Sequence, residues 1–140
     1  MKRPHLDDAA YFLYTGQEDV PSGVTRVRVH SSVRVIRARA FYRRKWLIGV
    51  EFHDGLEEIG EDTFYKCDSL LRINIPQAVR AIKNGAFFGC SGLTTVILGA
   101  GLEEIGAHAF CECRSLVHID IPPNVRAIED RALIRWGWLN

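Results

Sequence analysis

A single register runs through this chain: at a step of 23 residues, buried-type positions recur from Val24 to the last residues. Leu47, Leu70, Leu93, Leu116 and Leu139 form one column, and Phe41, Phe64, Phe87 and Phe110 form a second. Ile36, Ile59, Ile82, Ile105 and Ile128 make a third, without exception. A unit this short cannot bury its apolar face alone, so successive units must stack and share one continuous core. The chain is thereby restricted to a solenoid, a scaffold whose core repeats while its surface varies; the partner is left unspecified.

Within the unit 47–69, Leu47, Val50 and Phe52 open with the two-residue alternation of a strand that has one buried face. Asp54-Gly55 supplies a turn, and Leu56 and Ile59 point inward from a short second extended segment. Residues 61–66 carry Phe64 and lead to Cys67, a stretch suited to one helical or 3-10 turn. The sites equivalent to Val50 are Val27, Ile73, Val96 and Ile119, and those equivalent to Phe52 are Val29, Ile75, Leu98 and Ile121. Such β-branched repetition favours extended rungs over paired helices, which also need longer units of roughly 33 to 40 residues.

A chain of 140 residues, 47% of them hydrophobic, can bury a real core. No run approaches the ~18 apolar residues of a membrane span. Asp7 and Asp8 interrupt residues 1–15, so no export signal is expected there, which slightly favours an intracellular location and leaves the compartment unassigned. The organisation expected is a capping segment over 1–23, in which Tyr11, Phe12, Leu13 and Tyr14 lay a strand over the first rung, followed by repeats 24–46, 47–69, 70–92, 93–115 and 116–138. The net charge of +1 conceals a swing from unit to unit: −2 over 1–23, then +8, −6, +3, −2 and 0 over the five repeats.

The phrase running from Gly55 through Leu56, Glu57, Glu58, Ile59 and Gly60 to Phe64 and Cys67, followed by Ser69 to Pro76, resembles the BspA-like class of leucine-rich repeats. The resemblance covers 24–139. It implies a right-handed solenoid of stacked parallel β rungs with short helical or 3-10 turns, about five repeats long, whose first strand lines a parallel sheet on one face. It also implies a non-enzymatic module for protein interaction or adhesion. Arg44 and Trp136 stand where the pattern has cysteine, and Leu133 where it has phenylalanine; such departures suit terminal repeats.

Outward positions of the first strand are where a partner protein is expected to bind, and the candidates are Arg26, Arg28, Glu51, Arg72, Asn74, His118 and Asp120. An alternative is polyanion binding, of nucleic acid or of an acidic or phosphorylated segment, by Arg37, Arg39, Arg43, Arg44 and Lys45 with Tyr42 and Trp46 beside them. Against nucleic acid stand the −6 of the following repeat and a pI of about 7.7. Arg34, Glu57, Arg80, Glu103 and Arg126 alternate in sign down one column, which pairs opposite charges on neighbouring rungs.

Cys67, Cys90 and Cys113 form a column expected to pack as reduced thiols and to bond to backbone. His108, Cys111 and Cys113 lack a fourth ligand, and His30 with His53 lack a third, so no metal or other cofactor is expected. No phosphate loop or nucleophile with a paired base is present, and Glu57-Glu58 and Glu103-Glu104 point to opposite faces of an extended segment. No catalytic residue is assigned. Trp136, Trp138 and Leu139 are candidates for end-to-end self-association.

Overall fold

A computed structural model of the protein describes residues 11–133. Its ten strands are β1 (Tyr11–Tyr14), β2 (Arg26–Val29), β3 (Val35–Ile36), β4 (Gly49–Glu51), β5 (Glu58–Ile59), β6 (Arg72–Asn74), β7 (Ala81–Ile82), β8 (Thr95–Ile97), β9 (Glu104–Ile105) and β10 (Ala127–Ile128). Every pairing is parallel, and from β2 onward each residue faces its equivalent 23 positions away, as in Ile36↔Ile59↔Ile82↔Ile105↔Ile128. The chain is a β-solenoid. Four coils carry a strand on both faces, and a fifth carries only β10. Trp136, Trp138 and Leu139 lie outside the described residues.

Each column of the sequence becomes a stack in the core. Phe41, Phe64, Phe87 and Phe110 lie ring on ring, with centroids 5.1 Å apart at each step and planes within 9° of parallel. Tyr14 closes the stack from β1, its centroid 5.0 Å from Phe41 and its ring tilted by 58°. The spacing follows from the rung repeat of about 4.8 Å, which sets side chains of one kind above one another. Leu47, Leu56, Ile59, Leu70, Leu93, Leu102 and Ile105 are fully enclosed in the same core.

Among the described residues, the helical or 3-10 turns expected over 61–66 and its equivalents do not form. These stretches are successive tight turns. In the first, Ala40 N–H reaches Arg37 O, Tyr42 N–H reaches Arg39 O and Arg44 N–H reaches Phe41 O, while the intervening Arg39, Phe41 and Arg43 N–H groups donate to Glu61, Thr63 and Tyr65 O in the next coil. Left-handed residues alternate through the stretch: Arg39, Asp62, Gly85, His108 and Arg131 in one column, Arg43, Lys66, Gly89 and Glu112 in another, with φ between 52° and 71°. A left-handed residue ends any helix, and here its own N–H points along the solenoid axis to a carbonyl of the next coil, as Asp62 N–H does to Asn84 O.

A second correction concerns the sheets. The unbroken one, ordered β10-β9-β7-β5-β3, is made by the short second strands. The first strands form two pieces, β1-β2-β4 and β6-β8, and residues 118–121 form no strand. Gly60 shows how tightly the continuous side is built, since a Cβ there would stand 2.6 Å from Ile36 O and 2.8 Å from Ala38 N.

Candidate interaction site

The break between β4 and β6 has a local origin. Gly49 puts no side chain between Arg26 and Arg72, which occupy the same column one coil below and one coil above it, and the space over its Cα is empty. Phe52 is the largest member of a column otherwise made of Val29, Ile75, Leu98 and Ile121, and it turns its ring edge-on to Phe64 at 6.2 Å. Val50 is only half-buried, whereas Val27, Ile73 and Val96 in its column are buried. One backbone bond, from Leu71 N–H to Ile48 O at 3.2 Å, joins the two coils beside the break.

The result is a cleft of about 510 Å³ on the outer face. Arg26 and Arg72 stand about 10 Å apart by rung spacing. Ile48 and Leu71, 38% and 47% exposed, give it an apolar floor, and Tyr11, Phe52, Glu51, Asp54 and Asn74 complete its rim. Arg28 stands beside it, its Nε 2.6 Å from Glu51 Oε1 and its guanidinium 4.4 Å from the centroid of the Tyr11 ring. A site with an apolar floor and opposed cations can take an extended apolar segment that carries acidic side chains.

Of the candidates read from sequence, Arg26, Glu51, Arg72 and Asn74 line this cleft, and Arg28 braces it. His118 and Asp120 do not reach it: they lie on the fifth coil and pair with each other, Nε2 to Oδ1, at 2.7 Å. Sequence reasoning missed Ile48, Leu71, Tyr11 and Asp54. The available signal was the lone Gly49 in a column of Arg26, Arg72, Thr95 and His118.

The basic first repeat divides into two groups. Arg44, in the cysteine column, uses Nε and Nη1 to hold Val20 O at 2.8 Å and Tyr42 O at 2.9 Å, and Arg37 binds Glu18 O at 3.0 Å. These two fasten the segment before the first repeat. Arg39, Arg43 and Lys45 remain exposed. Down the charge column, Arg34 pairs with Glu57 at 3.0 Å and Arg126 with Glu103 at 3.5 Å, whereas Arg80 makes no side-chain ion pair among the described residues. Exposed pairs of this kind contribute about 0.2–1 kcal/mol each.

Cys67, Cys90 and Cys113 each place Sγ 3.1 Å from the carbonyl of Phe41, Phe64 or Phe87 in the preceding coil. Burial pushes the Cys67 thiol up to about 12 and raises those of Cys90 and Cys111, which keeps them protonated and unreactive at neutral pH. His53 spans two coils, with Nε2 2.5 Å from Val33 O and Nδ1 accepting Gly55 N–H at 3.0 Å. His30 instead meets Ser32. Among the described residues no group of three or more His, Cys, Asp or Glu side chains is placed to hold a metal ion.

The 23-residue coil with its leucine, phenylalanine and cysteine stacks agrees with a profile match to the BspA type leucine rich repeat region, which covers residues 21–135 in six copies. The chain belongs to the BspA-type leucine-rich-repeat family. Solved structures of similar leucine-rich-repeat proteins share the fold. One from T. pallidum is 28% identical with a TM-score of 0.75, over 86% of this chain and 57% of that one. Another, from Bacteroides ovatus ATCC 8483, is 34% identical with a TM-score of 0.65, over 68% and 24%. A leucine rich cell surface protein from Faecalibacterium prausnitzii A2-165 is 30% identical with a TM-score of 0.54, over 87% and 40%. This BspA-type chain thus spans about a quarter to a little over half of their lengths. No curated protein matches it. BspA-type repeats form interaction or adhesion scaffolds and are typically non-enzymatic.

Proposed function

We propose that this chain is a non-enzymatic recognition module that receives an extended, partly acidic segment of a partner protein in the β4–β6 cleft. The carrying observation is the cleft itself, where Arg26 and Arg72 oppose each other across the apolar floor of Ile48 and Leu71. Glu51 and Asn74 supply directional hydrogen bonds at the rim, and the Arg28 pair with Glu51 holds one wall in place. His118 and Asp120 extend the polar face beyond the cleft and make secondary contacts.

The test is selection of peptides from a random displayed library on the full chain, followed by calorimetry. Enriched peptides are expected to combine acidic and apolar residues and to bind the Arg26→Glu/Arg72→Glu variant at least roughly tenfold more weakly. Equal affinity for both proteins, or enrichment without acidic residues, would overturn the assignment.

A further inference from the structure

A second surface lies on the turns of the first three coils. Tyr42, Tyr65 and Phe88 form an outer aromatic stack, with centroids 4.9 and 5.1 Å apart and planes within 10° of parallel. Cations lie against these rings and the neighbouring indole. Arg43 is 5.8 Å from the centroids of both Tyr42 and Tyr65, Lys66 is 5.7 Å from Tyr65, Arg39 is 5.0 Å from Tyr42, and Lys45 is 5.4 Å from Trp46. Arg39 also meets Asp62 at 4.0 Å, whereas Arg43, Lys45 and Lys66 make no ion pair among the described residues.

Arg43 and Lys66 occupy equivalent positions on successive rungs, and both are left-handed, at φ 56° and 55°. The same column holds glycine one coil on, at Gly89. Glycine takes this conformation freely, and a side chain does not. Two adjacent coils therefore present a long cation from the same left-handed position, which Gly89 and Glu112 occupy in the next two coils.

We propose that Arg43, Lys45 and Lys66 form a binding strip for a short run of a sulfated polysaccharide. The strip offers fixed positive heads on adjacent rungs, suited to charge-assisted bonds with sulfate oxygens. Its geometry offers little for base stacking: the Tyr65 faces are occupied by Tyr42 and Phe88, Arg39 lies over Tyr42, and Lys45 lies over one face of Trp46, the exposed ring of the group. Tyr42, Tyr65 and Phe88 are half-buried and stacked on one another, and of the rings beside the cations only Trp46 is exposed, so the strip lacks the paired exposed aliphatic floor of the cleft, which disfavours a peptide. Glu112, in the same column two coils beyond Lys66, limits the strip to the first coils.

The experiment compares the full chain with Arg43→Gly/Lys66→Gly by titration with a size-defined heparin oligosaccharide and by thermal unfolding. The glycine variant is expected to bind roughly tenfold more weakly, with a shallower dependence of affinity on salt, while its Tm stays the same or rises. Arg26→Glu/Arg72→Glu serves as a second variant and is expected to keep full heparin affinity, which separates this strip from the cleft. Unchanged heparin binding by Arg43→Gly/Lys66→Gly would overturn the proposal. So would an equal or tighter Arg43- and Lys66-dependent affinity for single-stranded DNA or a phosphopeptide.

Discussion

Replacing Phe64 with alanine is expected to cost about 4 kcal/mol of folding stability, more than any other single truncation in the phenylalanine stack. Phe64 is fully buried, with Phe41 and Phe87 each 5.1 Å away on its two faces and the Phe52 edge at 6.2 Å. Its carbonyl also accepts the Cys90 thiol. Truncation leaves a void between two coil interfaces that the neighbouring rungs, fixed by the β5 and β7 ladders, cannot collapse to fill. Because stability in a stacked array is carried largely by nearest-neighbour interfaces, Phe110→Ala should cost less, since among the described residues Phe110 has a stacked ring on one side only. Urea denaturation of the two variants checks this. Equal losses would mean that the two-sided stack does not set the cost.

Gly60→Val is expected to lose about 3 kcal/mol, and Gly49→Val to stay within about 0.5 kcal/mol of the native chain. The contrast comes from what each new side chain meets. At Gly60 a Cβ stands 2.6 Å from Ile36 O and 2.8 Å from Ala38 N, and rigid backbone cannot yield without breaking the Gly60 N–H bond to Ile36 O. At Gly49 nothing lies within 4 Å. Valine suits a strand and would fill part of the cleft, so Gly49→Val should weaken peptide binding while leaving stability nearly unchanged. Thermal unfolding of both variants, with calorimetry on the second, measures the difference.

The core was legible because side chains facing it are constrained on every rung: the leucine, isoleucine and phenylalanine columns needed only the period of 23. The turns were not. Their left-handed positions are glycine only at Gly85 and Gly89; in the other coils Arg39, Asp62, Lys66 and Glu112 hide the same backbone behind ordinary helix-tolerant residues. Hydrogen bonds to the next coil compensate that conformation, and no local pattern encodes them.

Arg26, Glu51, Arg72 and Asn74 were legible through strand alternation, which fixes which side chains face out. The cleft that collects them was not, because it arises where the repeat is irregular, at Gly49 and Phe52. Similarly, counting charge in the first repeat could not separate Arg37 and Arg44, spent on holding Glu18 and Val20 carbonyls, from Arg43 and Lys45. His118 and Asp120 stand two rungs beyond Arg72 and Asn74 in their columns, on a coil without a first-face strand, and so lie outside the cleft.

The break between β4 and β6 carries the account, and amide hydrogen exchange on the free protein tests it most directly. Asn74 and Ile97 are partners in the β6–β8 ladder; because Ile75 N–H points to Ile97 O in the next coil, strand alternation turns the Ile97 N–H toward β6 and the Asn74 N–H toward the open side facing β4. The expected result is rapid exchange at Asn74, with Ile97 and the second-sheet amides of Gly60, Lys83 and Gly106 exchanging only through global unfolding. Equal protection at Asn74 and Ile97 would mean that the ladder is continuous, and the cleft with its proposed partner would have no structural basis.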